Sequence, residues 1–332
     1  TNKNSIEIGW FNINNNKYHK ITDTHAWCWQ QGSRLRWSNN KDVIIYNDCI
    51  DNEYCCLFYN IMTNKIIQKV DYALYDITPN EKFGLSLNFS RLQRLRPGYG
   101  YDILEDHSKS KNAPDDDGVF LIDISNNSSK LIISLKNLAK LNDKEESYQH
   151  YINHISISPS GEKFIFFHIY VKEKSWVTQL ISANIDGTKM TILENEDLVS
   201  HYTWKSDDEL LITGIDKSNS FYYRLYEVNG KYKKDITNKY LKQDGHPTFI
   251  AENVFVTDTY PINNYQIVFT YDISKKLAKN IVKLYSDPRL FEERRCDLHP
   301  KIDHKNNLIF IDSTYKKGKR SVIMIGEVKN AK

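Results

Sequence analysis

Four histidines recur at nearly even spacing, with His154, His201, His246 and His299 lying 47, 45 and 53 residues apart. Imidazole titrates near neutral pH and also ligates transition metals, so each recurrence is a place for acid–base or metal chemistry. Each histidine opens the same phrase: two residues, an apolar residue, a polar turn and a β-rich run, as in NHISISPSGEKFIFF and LHPKIDHKNNLIFID. Cys296 and His299 form a C-x-x-H pair, and His246 opens the preceding repeat. Thiolate and imidazole together suit Zn²⁺, and Asp258 or Asp312 is placed to supply a further ligand or to orient a histidine. His154, His168 and His201 are the candidates for proton transfer, with Tyr202 as a proton donor. Arg224, on the run FYYRLYEV, is the candidate partner for a substrate carboxylate. Neighbours on a strand point to opposite faces, so His201 and Tyr202 are not expected to share one.

These residues must be positioned by repeated strands. A period in the forties with several short strands per unit predicts an all-β chain folded as a β-propeller. Weaker copies of the phrase start at Arg34 and Leu74, giving six unit starts: 34, 74, 154, 201, 246 and 299. After Trp204 come ELLITG, FYYRLYEV and YKKDIT, with Asn229-Gly230 as a hairpin signal. If each phrase begins the innermost strand of a blade, the four histidines converge on one mouth of the central channel. The N-terminal strands EIGWFNI and YHKITD are expected to complete the blade begun at His299, so that no sheet edge stays open. Six and seven blades both fit the residues. The chain reads as a single domain, 1–332, with a loop insertion at 91–117. Its RLRPGYGY half is expected to act as a lid, and its acidic-polar half, EDHSKSKNAPDDD, to be mobile. One short helix is expected over 134–147.

Composition excludes several classes. A net charge of +3 over 332 residues provides no broad field for nucleic acid. No apolar run is long enough to span a membrane. Residues 1–10 lack the pattern of a signal peptide, yet a peptide already removed leaves the same sequence. The compartment is therefore periplasmic or secreted in that case and cytoplasmic otherwise. Five cysteines at irregular spacing make a poor disulfide framework and read as free thiols. Trp27, Trp29 and Trp37 cluster around QQGSRLRW and, with Arg34 and Tyr99, are the candidate substrate-binding residues. No G-x-S-x-G elbow, Walker A loop or dinucleotide fingerprint occurs. A monomer is expected.

The pieces FFHIY, NIDGTKM, SHYTW, DGHPTF, CDLHPKID and FIDS, in that order, resemble the bacterial propeller polysaccharide lyases, namely the oligogalacturonate and ulvan lyases. The likeness extends over residues 27–325 and is most detailed from 150 onward. It implies seven blades, an acidic polysaccharide or oligosaccharide as substrate, and β-elimination at uronic acid residues with a Zn²⁺ or Mn²⁺ cofactor. By position, His201 matches the catalytic histidine of the pattern H-x-x-W, and His246 and His299 match metal-binding histidines. Cys296 stands where the family uses a different ligand and suits zinc better than manganese. Lys301 stands where a further histidine ligand is expected, and Gln179 where the oligogalacturonate lyases carry a catalytic arginine. The ulvan-type set of two histidines, a tyrosine and an arginine is matched by His154, His168, Tyr202 and Arg224. The leading expectation is a metal-containing lyase. The alternative is a non-catalytic propeller binding a glycan or a protein partner in polysaccharide assembly or export, which Gln179 favours. A periplasmic scaffold of the TolB type would share the repeat but not the histidines.

Overall fold

The strand Val43–Ile50 is buried on both faces, and its alternate side chains go to different neighbours. Val43 and Ile45 pack with Leu74, Ile77 and Ile122, whereas Ile44 and Tyr46 pack with Ile8. The next strand, Glu53–Asn60, divides the same way: Cys56 and Phe58 join the first group, Cys55 and Leu57 the second. A sheet covered on both faces by other sheets requires this two-sided pattern. It also explains the adjacent cysteines, which are free, buried and part of the packing.

The computed structural model describes residues 4–141, 147–172, 175–316 and 318–326. It is an all-β propeller built from successive antiparallel sheets. The first blade is Arg36–Trp37, Val43–Ile50, Glu53–Asn60 and Lys65–Val70. The second is Asp76–Ile77, Phe83–Ser86, Gly118–Asp123 and Ser128–Ser134, and the third His150–Ile157, Lys163–Lys172, Ser175–Asn184 and Thr191–Glu194. The fourth is Leu198–Trp204, Glu209–Ile215, Phe221–Glu227 and Tyr232–Asp235, and the fifth Thr248–Ala251, Val254–Asp258, Tyr265–Asp272 and Leu277–Tyr285. The sixth has three strands, Lys301–Asp303, Leu308–Lys316 and Lys319–Ile325. Each of the six unit starts read from the sequence lies just before or within the first strand of one blade.

The seven-bladed ring closed by N-terminal strands is therefore corrected. The described residues form six blades, and Ile6–Asn12 and Lys17–Thr24 pair with each other in a separate two-stranded sheet. Their apolar side chains account for this placement. Ile8 is buried with Ile44, Tyr46, Cys55 and Leu57 of the first blade, and Ile6, Trp10 and Ile21 pack around it.

The chain forms two compact units, one of Thr1–Val177 with Ala183–Met190 and one of Thr178–Ser182 with Thr191–Lys332. In the second unit, Phe255 packs with Leu211 and Tyr223, while its neighbour Val256 packs with Leu298 and Ile309. This is the alternation seen at Val43 and Ile44.

The insertion belongs to the first unit. Its helix, Phe89–Leu95, is capped by Asn88, whose side chain accepts from the Arg91 N–H. Arg91 is 1% exposed and donates to the carbonyls of Ser108 (3.1 Å), Lys111 (3.1 Å), Asn112 (2.7 Å) and His150 (2.7 Å). Ser108 Oγ lies 2.8 Å from Asp106 Oδ1 and 2.6 Å from Asp117 Oδ2. The acidic-polar half, expected to be mobile, is thus knotted around a buried guanidinium. The helix expected over 134–147 spans Leu135–Lys140, and residues 142–146 lie outside the described residues. Among the described residues, no helix is long and apolar enough to cross a membrane.

Truncating the hairpin's anchor tests its placement. Ile8→Ala should cost about 2–5 kcal/mol, as deletion of a buried aliphatic side chain does. Amide exchange should accelerate through residues 6–24 and in Val43–Ile50. If the acceleration fell on Lys319–Ile325 instead, the hairpin would be packed on the wrong blade here.

Candidate metal centre

Three blades carry, at the fifth position of their second strand, a polar residue that ties down the start of the next repeat. Asn47 is buried; its amide accepts from Leu74 N (2.9 Å) and donates to Leu74 O (2.8 Å). Thr213 Oγ1 donates to Asp244 Oδ1 at 2.7 Å, two residues before His246. Asp258, 1% exposed, does most. Its Oδ1 accepts from the backbone N–H of His246 at 2.7 Å. Its Oδ2 accepts from the N–H groups of Leu298 and His299 at 3.1 and 3.2 Å. Both oxygens also face His246 Nδ1, at 2.9 and 3.0 Å, so that nitrogen donates and Nε2 is left as the ring's ligating atom.

This clamp holds His246 and His299, and with His201 three of the four repeated histidines come together within the second unit. The ring centroids of His201 and His246, and of His246 and His299, are each 4.0 Å apart. Ligating atoms of His246, Asp297 and His299 all lie within 4.8 Å of one another. Two imidazoles and a carboxylate are a donor set suited to zinc and other divalent transition metals. His201 stands beside this group, its Nδ1 held 3.3 Å from Asp244 Oδ1. Asp244 also accepts from Ser200 Oγ, Thr213 Oγ1 and Gly245 N. His201 and His246 keep 17% and 10% of their side-chain surface open, so a ligand can reach them from solvent.

Electrostatics follow from burial set against these partners. Burial pushes the Asp258 carboxyl up, but His246, its hydrogen bonds and His299 outweigh that and hold it at about 2. Asp244 is likewise lowered, because His201, Ser200 and Thr213 overcome its burial. Burial and the neighbouring His246 depress His299 to about 3. His246 moves upward despite burial because Asp258 faces it. Asp297 is buried yet lowered, its oxygens accepting from Arg295 Nε and Nη2 at 2.7 and 2.8 Å. The Arg295 guanidinium also lies 4.6 Å over the ring of Tyr260, which sits 5.7 Å from His246 and 6.3 Å from His201.

Cys296 does not belong to the group of ligating atoms. It is 3% exposed, next to the fully buried Leu298, and burial pushes its thiol up to about 11. Asp297, rather than Cys296, is grouped with His299.

The remaining sequence-derived candidates are distributed as follows. Pairing sets His201 opposite Thr213 and Thr213 opposite Tyr223, whereas Tyr202 lies opposite Ile212 and Ile212 opposite Arg224. Arg224 therefore shares a sheet face with Tyr202 and not with His201. It is engaged by Asp197 (2.5 Å), Asp235 (3.5 Å) and Glu194 (3.9 Å), and lies 3.9 Å over Tyr222. His154 and His168 lie in the first unit. His168 is fully buried, its Nε2 2.9 Å from Nδ1 of the equally buried His150. His154 donates its N–H to Tyr75 Oη at 2.9 Å, and its ring is 5.7 Å from Tyr99. Arg34 lies 4.1 Å over Tyr75, so Arg34 and the His154 backbone both meet Tyr75, while Tyr99 meets the His154 ring. Trp27 is buried, donates from Nε1 to Asn4 O at 2.6 Å and meets Trp29 at 5.1 Å. Trp37 is 49% exposed and packs edge-on to Trp10 at 6.5 Å. Gln179 is buried and Lys301 exposed.

Asp244, Asp297, Arg295 and Tyr260 escaped sequence reading. A signal for the two acids was present: Asp244-Gly-His246-Pro and Asp297-Leu-His299-Pro repeat the pattern D-x-H-P. Each acid faces the histidine of the preceding repeat, Asp244 meeting His201 and Asp297 meeting His246.

No protein-family model matches the chain, and no curated protein matches it. Among solved structures it is similar to the β-propeller domain of the Trilobed protease from Pyrococcus furiosus, with 11% identity and a TM-score of 0.56 over 91% of this chain and 83% of that one. It is similar to the Pyrococcus horikoshii acylaminoacyl peptidase, with 10% identity and a TM-score of 0.55 over 90% of this chain and 46% of that one. TolB from Acinetobacter baumannii matches at 12% identity and a TM-score of 0.46 over 82% of this chain and 59% of that one. The chain thus spans less than two thirds of the length of TolB and less than half that of the acylaminoacyl peptidase. At such identities the likeness shows the β-propeller fold.

The clamp is testable without any ligand. Asp258→Asn keeps the shape but turns one acceptor into a donor facing backbone N–H groups. It should lower stability in urea by about 1–3 kcal/mol, the cost of an unsatisfied buried group. An unchanged urea midpoint would show that the histidine loops are held by something else.

Proposed function

We propose that this propeller is a metal-dependent lyase of uronic-acid-containing glycans, with His246, Asp297 and His299 as metal ligands and His201 as the base. The observation that carries the reading is the juxtaposition of that ligand set with a third ring, His201, 4.0 Å from His246. A bound Zn²⁺ or Mn²⁺ supplies positive charge that offsets the uronate carboxylate, making its neighbouring C–H more acidic. Asp258 orients His246 through Nδ1, and Arg295 orients the Asp297 carboxylate by its bidentate pair. Asp244 holds His201 at Nδ1, so its Nε2 takes the C5 proton. The electrons of that C–H bond form the C4–C5 double bond, the C4–O bond breaks, and the departing oxygen is protonated by solvent. Arg224, on the other face of its sheet and already paired, has no part in this assignment.

Gln179, in the position where the oligogalacturonate lyases carry an arginine, favours a second reading: a propeller that binds an acidic glycan without cleaving it. One set of measurements separates the two. Metal-stripped protein should take up one equivalent of Zn²⁺ or Mn²⁺ by calorimetry, and His246→Ala should abolish the uptake. On a panel of uronate polymers the loaded protein should release unsaturated, ultraviolet-absorbing products. His201→Ala should slow that release by about 10²–10⁴-fold, the usual contribution of a positioned base, while leaving metal uptake intact. Metal uptake with glycan binding but no unsaturated product would support the binding-only reading. Absence of metal uptake would sink the lyase reading.

A further inference from the structure

The first unit contains a cavity of about 270 Å³ that neither the repeats nor the histidines account for. Its walls include Tyr54, Tyr72, Leu87 and Phe120, and Leu104 of the insertion forms part of its lining. The insertion is pinned there by a wall residue, since the Ile103 and Leu104 N–H groups donate to Tyr54 Oη at 3.3 and 3.0 Å. The cavity therefore has a defined shape and an apolar, aromatic interior of the kind that holds small molecules.

Its charge has one sign. Asp71 and Glu105 line it together with His107, and among the described residues neither lysine nor arginine does. Both carboxylates pair with exposed lysines outside the lining, Lys69–Asp71 at 2.9 Å and Lys109–Glu105 at 2.8 Å, and Asp71 also accepts from Asn127 Nδ2 at 2.6 Å. Exposed pairs of this kind are weak and exchange with a better-placed cation. Aromatic faces also attract a cation that is shielded from water. An acidic glycan is repelled by the same features. We propose that this cavity binds a small organic ammonium with an apolar body, its charge toward Asp71 and Glu105 and its body against Tyr54, Tyr72 and Phe120. The inference stands apart from the metal centre, which shares none of these residues.

Calorimetric titration of the full chain with phenethylammonium, 2-phenylethanol and 3-phenylpropionate tests it, because the three differ chiefly in charge. Phenethylammonium should bind saturably, about tenfold more tightly than the alcohol, as a cation–π contact and a facing carboxylate together allow. The carboxylate should not bind. Asp71→Asn with Glu105→Gln changes only exposed groups and should bring the ammonium down to the affinity of the alcohol. Tyr72→Ala should weaken all binding. No saturable binding of the ammonium, equal binding of the alcohol or the carboxylate, or indifference to both variants would overturn the proposal.

Discussion

The carboxylate of Asp258 is the contact on which the arrangement of the second unit's histidines depends. Three backbone N–H groups from two separate loops, and one imidazole nitrogen, converge on its two oxygens. Hydrogen bonds to a buried charge are worth about 1.5–3 kcal/mol each, more than neutral ones. Their geometry matters as much as their strength. The clamp fixes where the loops before Thr248–Ala251 and Lys301–Asp303 begin, and so where His246 and His299 stand. Gly245 completes it, because a Cβ there would strike the carbonyl oxygen of Asp258. His299 adopts φ of 42°, a left-handed conformation that histidine tolerates better than bulkier or β-branched residues. Arg34 and His154, which start other repeats, share it, with φ of 56° and 52°. Part of the recurrence of polar residues at this position is thus a demand of the backbone rather than of chemistry.

Around this clamp, the blades are held by strands that bury both faces. Val43 to Tyr46 and Phe255 to Val256 distribute successive side chains to opposite neighbours. In such strands the buried polar residues Asn47, Thr213 and Asp258 are accommodated by bonds to the next repeat. The same packing leaves Arg91 as a charge inside the first unit, tolerated because four carbonyls receive its N–H groups.

The propeller and all six unit starts were legible because the phrase after each start is local: a polar turn and then a strand. Asp258 was legible as a partner because it ends such a strand. The closure was not, since Ile6–Asn12 reads equally well as a strand for any blade, and only its contact with Ile44 and Tyr46 decides the matter. Cys296 was read from a familiar ligand spacing, whereas the intervening acid, Asp297, is the one grouped with His246 and His299. Arg224 illustrates the same limit: its strand was recognised, yet its face depends on register with Ile212 and Tyr202. The knot at Arg91 was invisible because it is made by backbone carbonyls, which leave no mark on composition.

The central claim is that repeated loop starts, positioned by Asp258, assemble a metal centre from His246, Asp297 and His299. Diffraction at the zinc absorption edge from crystals grown with Zn²⁺ tests it most directly. The account predicts one strong anomalous peak about 2.0–2.2 Å from an imidazole nitrogen of His246, one of His299 and a carboxylate oxygen of Asp297. A peak at Cys296, or none among these three side chains, would contradict it.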